Sequence, residues 1–251
     1  MIATPSILTA AVGLALLAGG VRGYCGFGFA MLLSLGLMLF LPPVVAVPVA
    51  LLLDLVTSIG LWRRALRHAH WHYLRYLLPG MLLMTGPGVL LLSWVPVAPM
   101  RVLVALLALA GALALMLQRQ ALDVRGRASP RAWMTLGAGM VSGLCMTLAS
   151  SGGPPLMLYL LYCRLSADRL RATAIVFFAV SSTLSLLGLW GAGSLSYPVL
   201  GWGAWLILPA LAGNLLGQWL FERAPPASLK NSVAPLLGGL ALLVLLHELL
   251  F

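Results

Sequence analysis

Two short glycine-rich segments interrupt long apolar runs and hold most of the residues that could do chemistry. The first is Arg22-Gly23-Tyr24-Cys25-Gly26-Phe27-Gly28-Phe29, and the second is Ser150-Ser151-Gly152-Gly153-Pro154-Pro155. Residues that break a helix are tolerated at membrane depth only where protein or a wet cavity satisfies the freed backbone groups. Two such breaks, at corresponding places in the two halves of a chain, point to a substrate site of a transporter.

Both breaks favour binding of an anion. The helix that follows each break begins with N–H groups that have no partner inside the helix. A helix N-terminus carries about half a positive charge and binds anions readily. Arg22 adds a planar cation suited to an oxyanion. We therefore predict a substrate site made of Arg22, Gly23, Tyr24, Gly26, Phe27, Gly28, Ser150, Ser151, Gly152 and Gly153.

Simpler interpretations of the same residues remain open. Arg22 could extend its side chain to the membrane interface from the end of a short first helix. The glycines could serve only close packing between helices, where small residues are common. Two matched breaks, one of them with an arginine, favour the binding site over packing alone.

Asp54 is the acidic residue that lies well inside an apolar run. Acidic residues inside membranes are rare and by default indicate function. Asp54 could couple transport to protons, balance the charge of Arg22, or make a structural hydrogen bond. The hydroxyls near it in sequence, Thr57 and Ser58, and those at 181–185 are more often hydrogen bonds between helices than the lining of a path, and the same applies to Asn214 and Gln218.

Composition indicates an all-α polytopic membrane protein. Of the 251 residues, 62% are hydrophobic and 8% are charged, whereas about 25% are charged in a soluble domain. The apolar runs recur along the whole chain, so no separate soluble domain is expected. The net charge of +10 reflects basic loops and not nucleic-acid binding. The first apolar run has no basic residues before it, so we expect it to be retained structure and not a signal peptide.

The apolar runs form ten segments, five in each half. In the first half they are Ser6–Val21, Phe27–Leu41, Val44–Trp62, Tyr76–Trp94 and Met100–Leu117. In the second half they are Ala132–Ala149, Pro154–Tyr162, Ala172–Trp190, Gly203–Phe221 and Val233–His247. A spanning helix needs about 20 apolar residues. The segments beside the breaks are shorter, which predicts half-helices or re-entrant arms.

The distribution of basic residues predicts the orientation of these segments. Arg and Lys accumulate at 63–75, 119–131, 164–171 and 223–230, and they are absent from 93–99 and 192–202. Cytoplasmic loops carry the excess of basic residues. The first hairpin then enters the membrane from outside and the second from the cytoplasm.

The halves are therefore predicted to be two inverted repeats, each a broken or re-entrant helical hairpin plus three transmembrane helices. The first repeat is residues 1–120, with a hairpin at 6–41 and spans at 44–62, 76–94 and 100–117. The second is residues 121–251, with a hairpin at 132–162 and spans at 172–190, 203–221 and 233–247. The alternative is that each hairpin forms one kinked span, which gives eight spans and parallel halves.

No cofactor or metal is predicted. His68, His70 and His72 lie in a basic stretch with aromatic residues, which is typical of a membrane interface. Cys25, Cys145 and Cys163 lie in or beside apolar segments without metal-ligand spacing. The sequence has no P-loop, which argues against direct use of ATP. It places no nucleophile and base together beside either break, so we predict that the protein is not an enzyme.

Both breaks resemble motifs of one membrane family. The first, Val21-Arg22-Gly23-Tyr24-Cys25-Gly26-Phe27-Gly28-Phe29-Ala30, resembles the first repeat of the sulfite exporter (TauE/SafE-type) family. Gly143 followed by Ser151-Gly152-Gly153-Pro154-Pro155-Leu156, and then Leu158-Tyr159-Leu160-Leu161, is similar to the second repeat. The basic loop with Trp71 and the run Pro79-Gly80 to Gly86-x-Gly88 also resemble the family.

Membership would imply a bacterial inner-membrane permease for small anions such as sulfite, organosulfonates or related carboxylates, most often exported. Many relatives have a longer glycine run where this chain has Ser150-Ser151, which leaves the size of the ligand open. The expected function is a secondary transporter that works by alternating access. Its coupling could be to protons or to the membrane potential alone. A passive anion channel and, less favoured, a membrane-embedded enzyme are the alternatives.

Overall fold

The protein is all-helical throughout the part of the chain that the structure describes. This computed structural model describes residues 5–94, 131–163, 165–193 and 197–223, together with residues 96, 99, 102–107, 109–110, 113, 195 and 242. The helices are α1 (Pro5–Cys25), α2 (Phe29–Met38), α3 (Pro43–Ile59), α4 (Trp62–His68), α5 (Trp71–Trp94), α6 (Ala132–Ala149), α7 (Gly153–Tyr162), α8 (Ala167–Gly191) and α9 (Tyr197–Arg223). Half of the predicted span at 100–117, and all of that at 233–247 except residue 242, lie outside the described residues.

Five of the described helices are long and apolar enough to cross a membrane by length and composition. These segments are Ser6–Tyr24, Trp71–Leu92, Ala132–Ala149, Asp168–Gly191 and Tyr197–Arg223. The helices that follow the two breaks, α2 and α7, have only 10 residues each. The helices that precede them, α1 and α6, have 21 and 18 residues. The chain is therefore a multi-pass membrane protein with two half-length helices.

Several helices extend beyond the apolar runs that predicted them. The first continues to Cys25 instead of stopping at Val21, so Arg22 lies on α1 and not in the break. The fifth begins at Trp71, and a short helix, α4, occupies the basic stretch before it. Charged and aromatic residues extend helices into the interface without adding to the apolar run, so the run understates the helix length.

Glycines bring α1 and α9 into backbone contact. A Cβ atom at Gly19 or Gly23 of α1 would meet a backbone carbonyl oxygen of α9. Conversely, a Cβ atom at Gly213 or Gly217 of α9 would meet one of α1. Small residues at four-residue spacing allow this approach in membrane proteins. Because both faces are glycine-lined, α1 and α9 form a tight pair.

A second tight pair is formed by α5 and α6. A Cβ atom at Gly80 of α5 would meet the carbonyl oxygen of Leu136, and one at Gly139 of α6 would meet that of Leu77. Helices α3 and α8 lie between the two pairs, since α3 contacts α8 and α9 while α8 also contacts α5. All ten residues of α2 are buried. A half-length helix is thus enclosed by protein, as its unpaired backbone ends require.

Candidate functional site

The first break is a three-residue turn, Gly26-Phe27-Gly28, between α1 and α2. Gly26 has a φ of 83° and Gly28 a φ of 92°. Side-chain-bearing residues rarely adopt this left-handed region, which glycine enters freely. The N–H of Gly26 donates to the carbonyl oxygen of Arg22 at 2.6 Å. Two glycines therefore let the chain reverse within one short turn.

The second break consists of Ser150, Ser151 and Gly152, between α6 and α7. Ser150 has a φ of 51°, the only positive value among the described residues other than glycine. Its N–H donates to the carbonyl oxygen of Met146 at 2.9 Å and closes the end of α6. Two prolines occupy the first turn of α7, where a missing N–H is least harmful.

The two breaks meet in space. A Cβ atom on Gly153 would lie 3.4 Å from the ring of Phe27. The hydroxyl of Ser151 donates to the sulfur of Met31, on α2, at 3.2 Å. The hydroxyl of Ser34, also on α2, donates to the carbonyl oxygen of Ala149 at 3.2 Å. The N-termini of α2 and α7 therefore lie side by side in the protein interior.

Arg22 lies beside this junction as half of a buried ion pair. Its side chain is fully buried, and Nη1 donates to Oδ1 of Asp54. Nη2 donates to the hydroxyl of Ser58, which itself donates to the carbonyl oxygen of Asp54 at 2.7 Å. Ser182 donates to the second carboxylate oxygen of Asp54 at 2.8 Å. Side chains of α1, α3 and α8 thus converge on one carboxylate.

The ion pair leaves part of Arg22 uncommitted. Its Nε has no hydrogen-bond partner within the described part of the chain. Arg22 and Asp54 line a small cavity together with Gly28, Ala30, Met31, Met146, Ser150, Gly153 and Phe178. A buried donor without a partner is rare and needs an explanation. The cavity that Arg22 lines is where a ligand or a water molecule could supply that partner.

The cavity has a volume of about 10 Å³. That is close to the minimum for one water molecule, which needs about 10–15 Å³. An oxyanion such as sulfite has several heavy atoms and needs more space. Binding of such an anion at this place therefore requires the two breaks to move apart.

The two helix N-termini at the junction offer different donors. The first turn of α2 carries the N–H groups of Phe29, Ala30 and Met31. In the first turn of α7, Pro154 and Pro155 have no N–H, which leaves that of Gly153. An anion at the junction would therefore take most of its backbone hydrogen bonds from α2.

The structure brings together only some of the predicted site residues. Arg22, Asp54, Gly28, Ser150 and Gly153 line the cavity, and Phe27 and Ser151 lie at the junction. The remaining four face elsewhere, and they are Gly23, Tyr24, Gly26 and Gly152.

Three of those four lie on the other side of the first break. Gly23 packs against α9, and its carbonyl oxygen accepts a hydrogen bond from Arg171 at 2.6 Å. Tyr24 contacts Phe221 edge to face at 6.3 Å between ring centroids. Gly26 lies against the side chain of Arg171. The fourth, Gly152, packs on α6, where its carbonyl oxygen accepts a hydrogen bond from Ser142.

Sequence reasoning missed two contributors. Ser182 is among the hydroxyls predicted to make hydrogen bonds between helices, and it does so, but the sequence does not identify its partner as Asp54, in the other half of the chain. Arg171 was assigned to a basic loop, yet it lies on α8 and is only 9% exposed. Its position four residues after Ala167, where α8 begins, carries no signal that separates it from the loop arginines.

Other polar side chains hold the helices together. Thr147 and Ser185 share a hydrogen bond of 3.0 Å between α6 and α8, and Asn214 donates to the carbonyl oxygen of Thr57 at 3.2 Å. In the part of the chain described, no three His, Cys, Asp or Glu side chains cluster as metal ligands. His70 stacks on Tyr73 at 4.4 Å, and its backbone N–H donates to Thr173. The segment between α4 and α5 therefore contacts α8.

One family model matches nearly the whole chain. The model described as "Sulfite exporter TauE/SafE" matches residues 11–244. That range includes both breaks, the buried ion pair and every described helix from α2 to α9 in full. No curated protein and no solved structure is similar enough to the chain to count as a match.

Proposed function

The chain belongs to the sulfite exporter TauE/SafE family, and on that premise we propose that it is a secondary transporter that exports a small anion. Sulfite, an organosulfonate or a related carboxylate is the proposed substrate, and the bacterial inner membrane is the proposed location. The observation that carries this proposal is the meeting of two helix N-termini beside the buried Arg22. Both features favour a negatively charged ligand.

The proposed mechanism is alternating access between two inverted repeats. The proposed repeats match α1 with α6, α3 with α8, and α5 with α9. When each helix is replaced by its match, the tight pair α1–α9 becomes the other tight pair, α6–α5. The same operation exchanges the contact of α3 with α9 for that of α8 with α5. This pattern supports a two-fold relation with its axis near the junction of the breaks, which is where inverted-repeat transporters bind substrate.

Within that mechanism, the substrate anion competes with Asp54 for Arg22. An arginine that is left alone in a buried site is strongly unfavourable, and so is a lone carboxylate. When the anion takes the guanidinium, Asp54 can stay neutral by binding a proton. The site then holds one cation and one anion both without the substrate and with it. This exchange would couple each anion to one proton.

The first experiment is transport in proteoliposomes with sulfite, sulfoacetate, taurine, lactate and phosphate as candidate substrates. We expect saturable flux of one anion in the wild-type protein, and counterflow, which a passive channel does not show. The test variant is Arg22→Gln/Asp54→Asn, because it removes both charges and leaves neither partner unpaired. The control is Arg67→Gln, an exposed residue of α4. We expect flux to be lost in the double variant and kept in the control.

Asp54→Asn tests the coupling. It removes the competitor of the anion, so we expect tighter anion binding and flux that no longer depends on pH. An unchanged pH profile would rule out the coupling role of Asp54. Equal flux in the double variant and the wild-type protein would rule out the Arg22 site itself.

A further inference from the structure

A second and larger cavity lies on the other side of the first break. Its volume is about 120 Å³, and its polar lining consists of His68, Asp168, Arg171 and Gln218. Ala65 of α4 and Ala172 of α8 form part of its apolar wall. Ala65, His68, Asp168 and Arg171 belong to the basic stretches that we predict to be cytoplasmic, and Gln218 lies near the end of α9. We call this space the loop-side cavity.

Arg171 is held in a fixed position at this cavity. Its Nη2 donates to the carbonyl oxygen of Gly23 at 2.6 Å, and its guanidinium lies 4.1 Å from the ring centroid of Phe221. Its aliphatic stem runs along Gly26, where a Cβ atom would lie 2.5 Å from Cγ. Stacking and a hydrogen bond to the backbone orient the planar group before any ligand arrives.

The first break therefore separates two buried arginines. Arg22 lies on the side of the ion pair, and Arg171 lies against Gly23 and Gly26 on the side of the loops. Between the two, the turn has side chains only at Phe27. Glycines leave the backbone open to close approach by a ligand. Sequence reasoning placed Gly23 and Gly26 in the anion site, and Arg171 is the cation that they contact.

The size and polarity of the loop-side cavity fit a small oxyanion. By the same measure, about 10–15 Å³ is enough for one water molecule, so 120 Å³ accommodates an anion of a few heavy atoms. Two acidic residues lie at its edge: Asp168 is part of the lining, and Gln218 donates to Glu222 at 3.4 Å. Nearby negative charge weakens retention of an anion, and a site on a transport path must also release its ligand.

We propose that the loop-side cavity is a second binding position for the transported oxyanion, with Arg171 as the group that binds it. This inference rests on the proposed function, because it places the position on the same transport path. The anion would bind beside Arg171 first and reach Arg22 after the glycine turn moves. Substrates that carry a sulfonate or a sulfite group present the oxygen atoms that a guanidinium recognises.

Charge-selective labelling tests the cavity without transport. A Gln218→Cys variant, at the partly exposed rim, is labelled with the anionic reagent 2-sulfonatoethyl methanethiosulfonate and with its cationic trimethylammonium analogue. The labelling rate of the protein without Gln218→Cys is subtracted, because the native cysteines also react. We expect the ratio of anionic to cationic rates to fall about tenfold when Arg171→Gln is added, since a charge-assisted contact is lost. Arg169→Gln, which removes an exposed charge on the same helix, should leave the ratio near its original value. An equal ratio with and without Arg171 would overturn the proposal.

One-sided transport kinetics tests its place on the path. Arg171→Gln should raise the half-saturating anion concentration about tenfold for flux from the loop side, because the first binding step is weakened. Arg171→Lys should recover part of that loss, and Ala65→Phe should reproduce it by filling the cavity without changing any charge. Unchanged half-saturation in Arg171→Gln and Ala65→Phe would overturn the proposal. If the wild-type protein moves none of the anions, the proposed function fails, and the labelling ratio still decides whether the cavity accepts a sulfonate.

Discussion

Each of the two breaks lies between a long helix and a ten-residue helix, but the residues of the two breaks differ in chemistry. The first is preceded by Arg22, turns through two glycines in the left-handed region, and opens α2 with N–H groups in each position of its first turn. The second turns through Ser150 and opens α7 with two prolines. Its polar side chains are two serine hydroxyls, and it has no charged residue.

This difference shows that a repeated backbone shape does not require repeated chemistry. Arg22, on α1 just before the first break, carries the charge, and α2, just after it, has most of the free backbone N–H groups. The second supplies a rigid surface, because Gly153 packs on Phe27 and Ser151 bonds to Met31. The second half still contributes polar groups, but from α8, through Ser182 and Arg171. Under the proposed function, the first break would serve binding and the second would serve support.

The largest expected effect concerns the ion pair beside the first break. Arg22→Gln leaves Asp54 buried without its partner, and we expect it to lower the free energy of unfolding by about 3–5 kcal/mol. Arg22→Gln/Asp54→Asn should recover most of that loss. Ser150→Ala in the second break should change it by less than about 1 kcal/mol, since its hydroxyl makes one long bond of 3.5 Å. Denaturant unfolding of the purified protein in detergent measures all three variants.

A double variant as unstable as Arg22→Gln would mean that the cation serves packing and not charge balance. A large loss of unfolding free energy in Ser150→Ala would contradict this difference between the breaks, because the second break would then contribute as much to stability as the first.

The second largest effect concerns the backbone conformation of the two turns. Gly28→Ala forces a side chain into a φ of 92° and should cost about 1–2 kcal/mol. Gly153→Ala is the matched control, because it lies in a regular helix and its Cβ atom would only touch the Phe27 ring at 3.4 Å. We expect it to be neutral or stabilising by up to about 1 kcal/mol. Thermal unfolding of both variants, measured together, gives the ranking, and equal losses would refute the distinction.

The smallest effect lies outside both breaks and sharpens the pH test of Asp54. Partial burial, the nearby Arg169 and His72 lower the pKa of His70 from its usual value of 6.5. The unfolded chain therefore binds this proton more readily, so stability is fully present above pH 6.5 and falls as pH decreases through the folded pKa. His70→Gln should flatten the stability profile on the acidic side and leave the pH dependence of transport intact. If His70→Gln removed the pH dependence of transport as well as that of stability, transport would be responding to unfolding and not to Asp54.

Much of the architecture was predictable because apolar runs and helix breakers are local signals. The sequence indicated an all-helical membrane protein of the TauE/SafE type, and the structure and the family match agree. It also indicated that α2 and α7 are short, since glycines and prolines interrupt the runs at fixed places. The inverted arrangement of the halves and the anion site stay predictions, to be decided by the experiments above.

The parts that were not predictable depend on contacts between distant residues. Helix rotation decides whether Arg171 faces a loop or the interior, and no local pattern fixes that rotation. The bond from Ser182 to Asp54 joins residues 128 positions apart. Arg22 itself was placed in the break because its charge ended the apolar run, although α1 continues past it. When each apolar run is considered by itself, a charged residue that is buried in an ion pair cannot be recognised as buried.

The tight pairing of α1 with α9 has a consequence for how the protein is made. Helix α1 leaves the ribosome before the other described helices, and it packs, glycine against glycine, on a helix whose residues begin at Tyr197. During synthesis α1 must therefore wait in the membrane, with its glycine face covered by lipid or by the insertion machinery, until that partner is translated. The second pair, α5 with α6, joins helices that lie much closer together in the chain and can assemble earlier. Maturation should thus proceed from the middle of the chain outward, and closure of the α1–α9 pair should be a late step.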